Sequence, residues 1–167
     1  MTTIETDRLI LRPASVRSIG VVVEWLNDRE VTRYSEQRHQ RHTQETQRTY
    51  LLDMHAPHKY MEIYCDNTLI GTMTAHVDEN NSVADIGILI GNRSYWGNGY
   101  GSEAWSGLCH WLLDNGVRKI EAGTMACNYP MLNVFRKTQM IPEGRREGHF
   151  LFEKRLVDLV YYAKFRE

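Results

Sequence analysis

Tyr95-Trp96-Gly97-Asn98-Gly99-Tyr100-Gly101-Ser102-Glu103-Ala104 is the stretch on which the fold turns. Before it, residues 84–90 read as a strand; after it, residues 100–115 read as a helix. A glycine-rich turn in that order makes an anion cradle. Glycine lets the backbone come close to a ligand and adopt positive φ. The unpaired N–H groups of the first helical turn then point at the anion, and the helix dipole favours negative charge there. A phosphate or pyrophosphate is the natural guest. A Walker loop would need Gly-Lys-Ser/Thr, but Ser102 and Glu103 follow the last glycine. A Rossmann fingerprint would need a third glycine where Ser102 stands. The turn holds no lysine, so backbone amides are expected to do most of the binding.

Working outward, the apolar positions 104, 105, 108, 111 and 112 keep a helical period, and Asn115-Gly116 stops it. Upstream, residues 60–65, 69–77 and 83–90 form an antiparallel meander with turns at Asp66-Asn67 and Glu79-Asn80-Asn81. Residues 8–12 alternate as a half-buried strand closed by Pro13. Helices are expected over 16–26 and 44–55, the second capped by Thr43, with polar, irregular chain over 27–42 between them. Downstream come a strand over 119–125, a helix from Pro130 to about 138, and strands over 143–153 and 156–165. The order β–α–α–β–β–β–α–β–α–β–β implies one α/β (α+β) domain over residues 1–167. It holds a mixed, mostly antiparallel sheet of about seven strands with helices on both faces.

Bulk properties narrow the function. The chain has 167 residues, 42% hydrophobic and 25% charged, as expected of one soluble globular domain. A net charge of −1 provides no global field for nucleic acid. No apolar run approaches the ~20 residues a spanning helix needs, so no membrane partner is expected. Met1-Thr2-Thr3-Ile4-Glu5 has neither a basic nor an apolar leader region, and three cysteines without C-x-x-C spacing suit a reducing cytoplasm.

The residues 96–101 resemble the acetyl-CoA pyrophosphate loop of the GNAT N-acetyltransferases, usually Q/R-x-x-G-x-G/A, with Trp96 in the first position. That departure is usual in the RimJ/RimL-like branch. The resemblance extends to Thr6-Asp7-Arg8-Leu9-Ile10-Leu11-Arg12-Pro13, to Asn27-Asp28 with Val31 and Tyr34, and to Ala84-Asp85-Ile86-Gly87. It continues in Asn128 with Lys137 and Met140, in Pro142-Glu143-Gly144, and in Asp158 with Tyr161. It implies the GNAT fold and acetyl transfer from acetyl-CoA to a primary amine without a metal. Trp96, Gly97, Asn98, Gly99, Tyr100, Gly101 and Ser102 would hold the pyrophosphate. The backbone of Ile88, Leu89 and Ile90 would pair with the pantetheine arm, as an added strand does. A Leu89 N–H would face the thioester oxygen, and Asn128 would bind the arm.

Asp85 stands where the branch often has a glutamate, and so is a candidate base working through water; a solvent-facing strand acid is the plain alternative. Glu62 is a second candidate. The branch's usual acids for the departing thiolate are absent, because Phe135 and Met131 occupy their positions. The acceptor side is expected at residues 29–48, where five arginines and two histidines face three glutamates. Arg33, Tyr34, Arg38 and His39 are candidate acceptor contacts there, able to grip the phosphate of a nucleotide-linked amino sugar; a solvated charged loop is the plain alternative. His39-x-x-His42 has helical spacing but no third ligand, so no metal is expected. The alternatives are an N-terminal amine of a (ribosomal) protein as acceptor, or a non-catalytic acetyl-CoA-binding domain. The resemblance also admits a homodimer.

Overall fold

The computed structural model describes residues 2–167. Residues Leu9–Pro13 form a strand, β2, and a two-residue strand β1, Ile4–Glu5, precedes and pairs with it. The sheet therefore has eight strands, one more than the sequence pattern suggests. Two residues are too few to display alternation, so only the pairing of Ile4 with Leu11 reveals β1.

The meander is β3, Lys59–Cys65, β4, Thr68–Asp78, and β5, Val83–Ile90. Strand β6, Lys119–Met125, runs parallel to β5, and the hairpin of β7, Ile141–Phe152, and β8, Arg155–Phe165, completes the order β1-β2-β3-β4-β5-β6-β8-β7. Every other neighbouring pair is antiparallel. The helices are α1, Ile19–Asn27, α2, Gln44–Asp53, α3, Tyr100–Asp114, and α4, Tyr129–Lys137. Within the segment expected to be irregular, Glu36–His39 winds into a 3-10 turn.

Alternation along the strands sorts side chains to two faces. Met61, Ile63, Met73, Ala75, Ala84 and Ile86 join the core with Trp105, Leu108 and Leu112 of α3 and Phe135 of α4. Trp105 is 1% exposed; its ring meets Phe135 edge-on at 5.6 Å, and its Nε1–H points at the Met140 sulfur 3.1 Å away. The opposite face presents Tyr60, Thr72, Thr74, Gly87 and Leu89 toward α1 and α2, where a cavity forms.

Helix α2 is short, and its start matters. Thr43 Oγ1 accepts from Thr46 N–H at 3.1 Å, and Thr46 Oγ1 accepts from Thr43 N–H at 3.0 Å, a reciprocal cap. Thr43→Ala is expected to cost about 1 kcal/mol of stability, read as a lower urea midpoint at unchanged slope. No helix among the described residues is long and apolar enough to cross a membrane.

Candidate active site

The glycine corner lies between β5 and α3. Gly97 has φ 77° and Gly99 φ 81°, so both occupy the left-handed region. Gly99 caps α3 without any side-chain hydrogen bond. The first intrahelical bond runs from Glu103 N–H to Gly99 C=O at 3.0 Å, which leaves the N–H groups of Tyr100, Gly101 and Ser102 without helical partners. Trp96 braces the approach: its Nε1–H donates to Ile90 C=O at 2.8 Å, and its C=O accepts from Asn98 Nδ2 at 3.1 Å.

A cation stands at this corner that the turn itself does not contain. Arg8, from the β1–β2 connection, donates to Asn98 C=O at 3.0 Å and lies 4.3 Å above the Tyr100 ring. A Cβ built on Gly99 would sit 3.5 Å from its guanidinium. Glu103, which would otherwise oppose an anion at this helix start, is bound instead by Thr6 Oγ1 at 2.6 Å and by Arg8 N–H and Nε, both at 2.7 Å. Burial pushes the Glu103 carboxyl up, but Thr6 and Arg8 outweigh it and hold the group below the ordinary range. A carboxylate depressed on folding contributes stability above its unfolded pKa and loses that contribution as pH falls through the folded value. Arg8→Ala is therefore expected to weaken acetyl-CoA binding about tenfold, by removing one charge-assisted contact. It should also move acid unfolding to higher pH. Calorimetry and an acid titration of circular dichroism check the two effects.

Beside the corner the sheet splits. Strands β5 and β6 pair at Val83–Lys119, Ala84–Ile120 and Asp85–Glu121, and no further. Beyond Asp85, β5 stays laddered to β4, with Met73 opposite Ile88, Thr72 opposite Leu89 and Gly71 opposite Ile90. Its other edge is open, while β6 follows β8 away. An open edge offers N–H and C=O groups to an extended amide chain. Gly71 allows the tight β4–β5 contact here, since a Cβ on it would come within 2.3 Å of the Leu89 carbonyl oxygen. Asn128, at the far side of the split, caps α4: Oδ1 accepts from Met131 N–H at 3.3 Å and Nδ2 donates to Thr124 Oγ1 at 3.0 Å. An amide has a second lone pair and a second N–H to offer.

On the α1/α2 face a cavity of about 490 Å³ reaches Gly87, Ile88 and Leu89. Its polar wall comes from Ser35, Gln37, Gln40, His42, Gln47 and Tyr60, and it is lined by neither carboxylate nor guanidinium. Gln47 Nε2 donates to the buried Tyr60 hydroxyl at 2.7 Å. Burial pushes the Tyr60 phenol up to about 12, so it stays a neutral hydroxyl.

The candidate residues divide accordingly. Trp96 to Ser102 gather at the corner, and Ile88, Leu89 and Ile90 lie on the divergent strand. Asp85 is on the cavity's face of the sheet, two residues before Gly87, but outside the cavity lining. Desolvation and the charge of Glu121 push its carboxyl up, against the pull of His76, although the residue as a whole is exposed. Glu62 is buried and committed, accepting from Ser15 N–H at 2.8 Å and from the Tyr64 hydroxyl at 2.9 Å.

Arg33, Tyr34, Arg38 and His39 lie outside the cavity lining. Arg33 pairs with Glu153 at 3.0 Å, Arg38 with Glu36 at 3.0 Å, and Tyr34 packs on Phe152 at 5.6 Å between ring centres. His39 is exposed and pairs with Glu36 at 3.3 Å. Phe135 is buried, stacked 4.7 Å from Tyr162, and carries no acid. The sequence pattern does not single out Arg8, Gln47 or Tyr60, and it presents His42 only as one end of His39-x-x-His42. Arg8 carries a weak signal, as one of two arginines, with Arg12, in the opening stretch. His42 and Gln47 have only their place in the 29–48 segment, and Tyr60 has no signal, because packing alone joins α2 to β3.

A glycine corner at a helix start, an open strand edge and a cavity that reaches Leu89 thus lie along one strand, β5. The family description "Acetyltransferase (GNAT) domain" matches residues 8–141. The chain belongs to the GNAT acetyltransferase family and is an acyltransferase of that family, which uses acetyl-CoA. It is 26% identical to "Uncharacterized N-acetyltransferase p20" of Bacillus licheniformis over 98% of this chain and 96% of that protein. Its fold matches a GNAT-family acetyltransferase from Bacillus anthracis (TM-score 0.84, 23% identity, 99% of each chain). It also matches the ribosomal L7/L12 alpha-N-protein acetyltransferase RimL in complex with coenzyme A (TM-score 0.85, 19% identity, 98% of each chain).

Proposed function

We propose that this protein acetylates the primary amine of a small, hydroxyl-bearing acceptor, of the size of an amino sugar, using acetyl-CoA. The observation that carries this is the uncharged polar wall of the cavity beside Leu89. Amide and hydroxyl side chains complement the hydroxyls of such an acceptor. Arg33 and Arg38 lie outside the cavity lining, so a nucleotide attached to the sugar would also lie outside the cavity.

In this scheme the amides of residues 97–102 and Arg8 hold the diphosphate. The backbone of Ile88, Leu89 and Ile90 pairs with the pantetheine amides, with Asn128 on the opposite side. The Leu89 N–H stabilises the oxyanion that develops at the thioester. The thiolate departs without a protein acid, as a group of ordinary thiol acidity can. Three free cysteines favour work in a reducing compartment.

Release of coenzyme A thiol from acetyl-CoA tests the proposal. The panel is free amino sugars, nucleotide-linked amino sugars, and short peptides beginning with serine or alanine. The amino sugars should show kcat/KM at least about tenfold above the peptides, a difference of about 1.4 kcal/mol. The reverse order would make a protein N-terminus the acceptor. Binding of acetyl-CoA without thiol release for any amine would make the protein a binding module.

A further inference from the structure

His42 is buried in the cavity wall, and the scheme above gives it no task. Its placement is nonetheless specified at every level. Asn27, the last residue of α1, grips the backbone of residue 42 twice: Oδ1 accepts from its N–H at 2.9 Å, and Nδ2 donates to its C=O at 2.9 Å. The imidazole Nε2 lies 3.0 Å from the Gln37 carbonyl oxygen. A carbonyl can only accept, so Nε2 carries the hydrogen, and in the neutral ring Nδ1 is the bare acceptor. Nδ1 takes no hydrogen bond from the described residues. The ring thus shares with Leu89 a cavity of small-molecule size, its tautomer set by one carbonyl and its basic nitrogen uncommitted.

No other group lining this cavity is an ionisable base. From α1 come Val22 and Leu26, from α2 Thr46, Gln47 and Tyr50, and from the sheet Tyr60, Thr72 and Thr74. Burial raises the phenols of Tyr50 and Tyr60, so neither supplies a charge near neutrality. Along the chain, the Arg38 guanidinium is turned to Ser35 C=O and Glu36, and Arg41 is exposed. Glu62 is consumed by Ser15 and Tyr64, and Asp85 lies outside the lining.

We infer that His42 is the general base of the acetyl transfer, accepting the proton of the acceptor ammonium at Nδ1; this rests on the function proposed above. The neutral amine's lone pair then attacks the thioester carbonyl carbon. The C–N bond forms, the C–S bond breaks, and a second proton from the nitrogen leaves with the sulfur as coenzyme A thiol. His42 returns its proton to solvent. In sum, ammonium and acetyl-CoA give the N-acetyl amine, coenzyme A thiol and one proton.

The test compares wild type, His42→Ala, His42→Gln and Asp85→Asn, measuring thiol release from acetyl-CoA with the amine that the wild type acetylates fastest in the panel. Both His42 variants should lose about a hundredfold or more in kcat, the range of a positioned base, with acetyl-CoA affinity within about twofold of wild type. The acid limb of the kcat/KM profile should flatten. Added imidazole should restore part of the activity of His42→Ala and none of Asp85→Asn. Four results overturn the assignment: a His42→Ala kcat within about threefold of wild type, a loss without imidazole rescue, an unchanged acid limb, or removal of that limb by Asp85→Asn instead. If the wild type releases no thiol with any amine, the acetyl-transfer function falls and the base with it. If the wild type turns over and only the His42 criteria fail, the base alone falls.

Discussion

Replacing Gly99 by valine is expected to weaken acetyl-CoA binding by at least about a hundredfold, or about 2.7 kcal/mol, while the protein stays folded. Gly99 holds φ 81° at the start of α3, a region that a β-branched residue enters only under strain of about 1–3 kcal/mol. Relief of that strain would turn the amides of residues 99–101 away from the anion. Without such relief, the valine methyls would stand in the space between the helix start and Arg8, whose guanidinium is 3.5 Å from the Cβ position. Either outcome removes backbone donors aimed at the diphosphate.

Gly116 provides the control. It also has positive φ, 101°, with nothing within 4 Å of an added Cβ, and it follows α3 at the other end. Gly116→Ala should lower stability and leave cofactor affinity unchanged. Calorimetry with acetyl-CoA, alongside far-UV circular dichroism, reads both. Affinity of Gly99→Val within about threefold of wild type would place the diphosphate elsewhere.

Trp105→Ala is expected to cost about 3–5 kcal/mol of stability, the range for deleting a buried aromatic side chain. Trp105 lies in the core that joins α3 to the sheet and to α4. Its loss opens a void beneath Phe135, which is itself fully buried against Tyr162. Domains of this size are stable by roughly 5–15 kcal/mol, so the variant should unfold at much lower urea. A loss under about 1 kcal/mol would mean that the α3–α4 layer repacks freely. Trp105→Phe, which keeps a ring against Phe135, should recover much of the loss.

The strands of the meander and the two central helices were legible because their signals are local. Alternation set the faces of β5, with Ile86 turned to the core and Asp85 outward, as the pattern 83–90 implies. Thr43, Pro130 and Asn115-Gly116 mark helix ends through their own hydrogen-bonding and dihedral preferences. The short β1 escaped because two residues have no period.

The basic rim shows the limit from the other side. Counting charges over 29–48 marks a basic rim, but it does not show that Glu153, 120 residues beyond Arg33, pairs with that arginine. Composition cannot register a partner so distant in sequence.

By itself, the sequence determined the order of the four α-helices and of every strand but β1, the glycine corner and the membership of the chain in its family, since each depends on residue types at fixed short spacings. Tertiary structure alone decided that β5 and β6 separate after Asp85, that Arg8 meets Gly99, and that His42, Tyr60 and Leu89 share one cavity. Those juxtapositions arise from helices packing across a twisted sheet, and contacts between residues far apart in the chain leave no periodic trace in it.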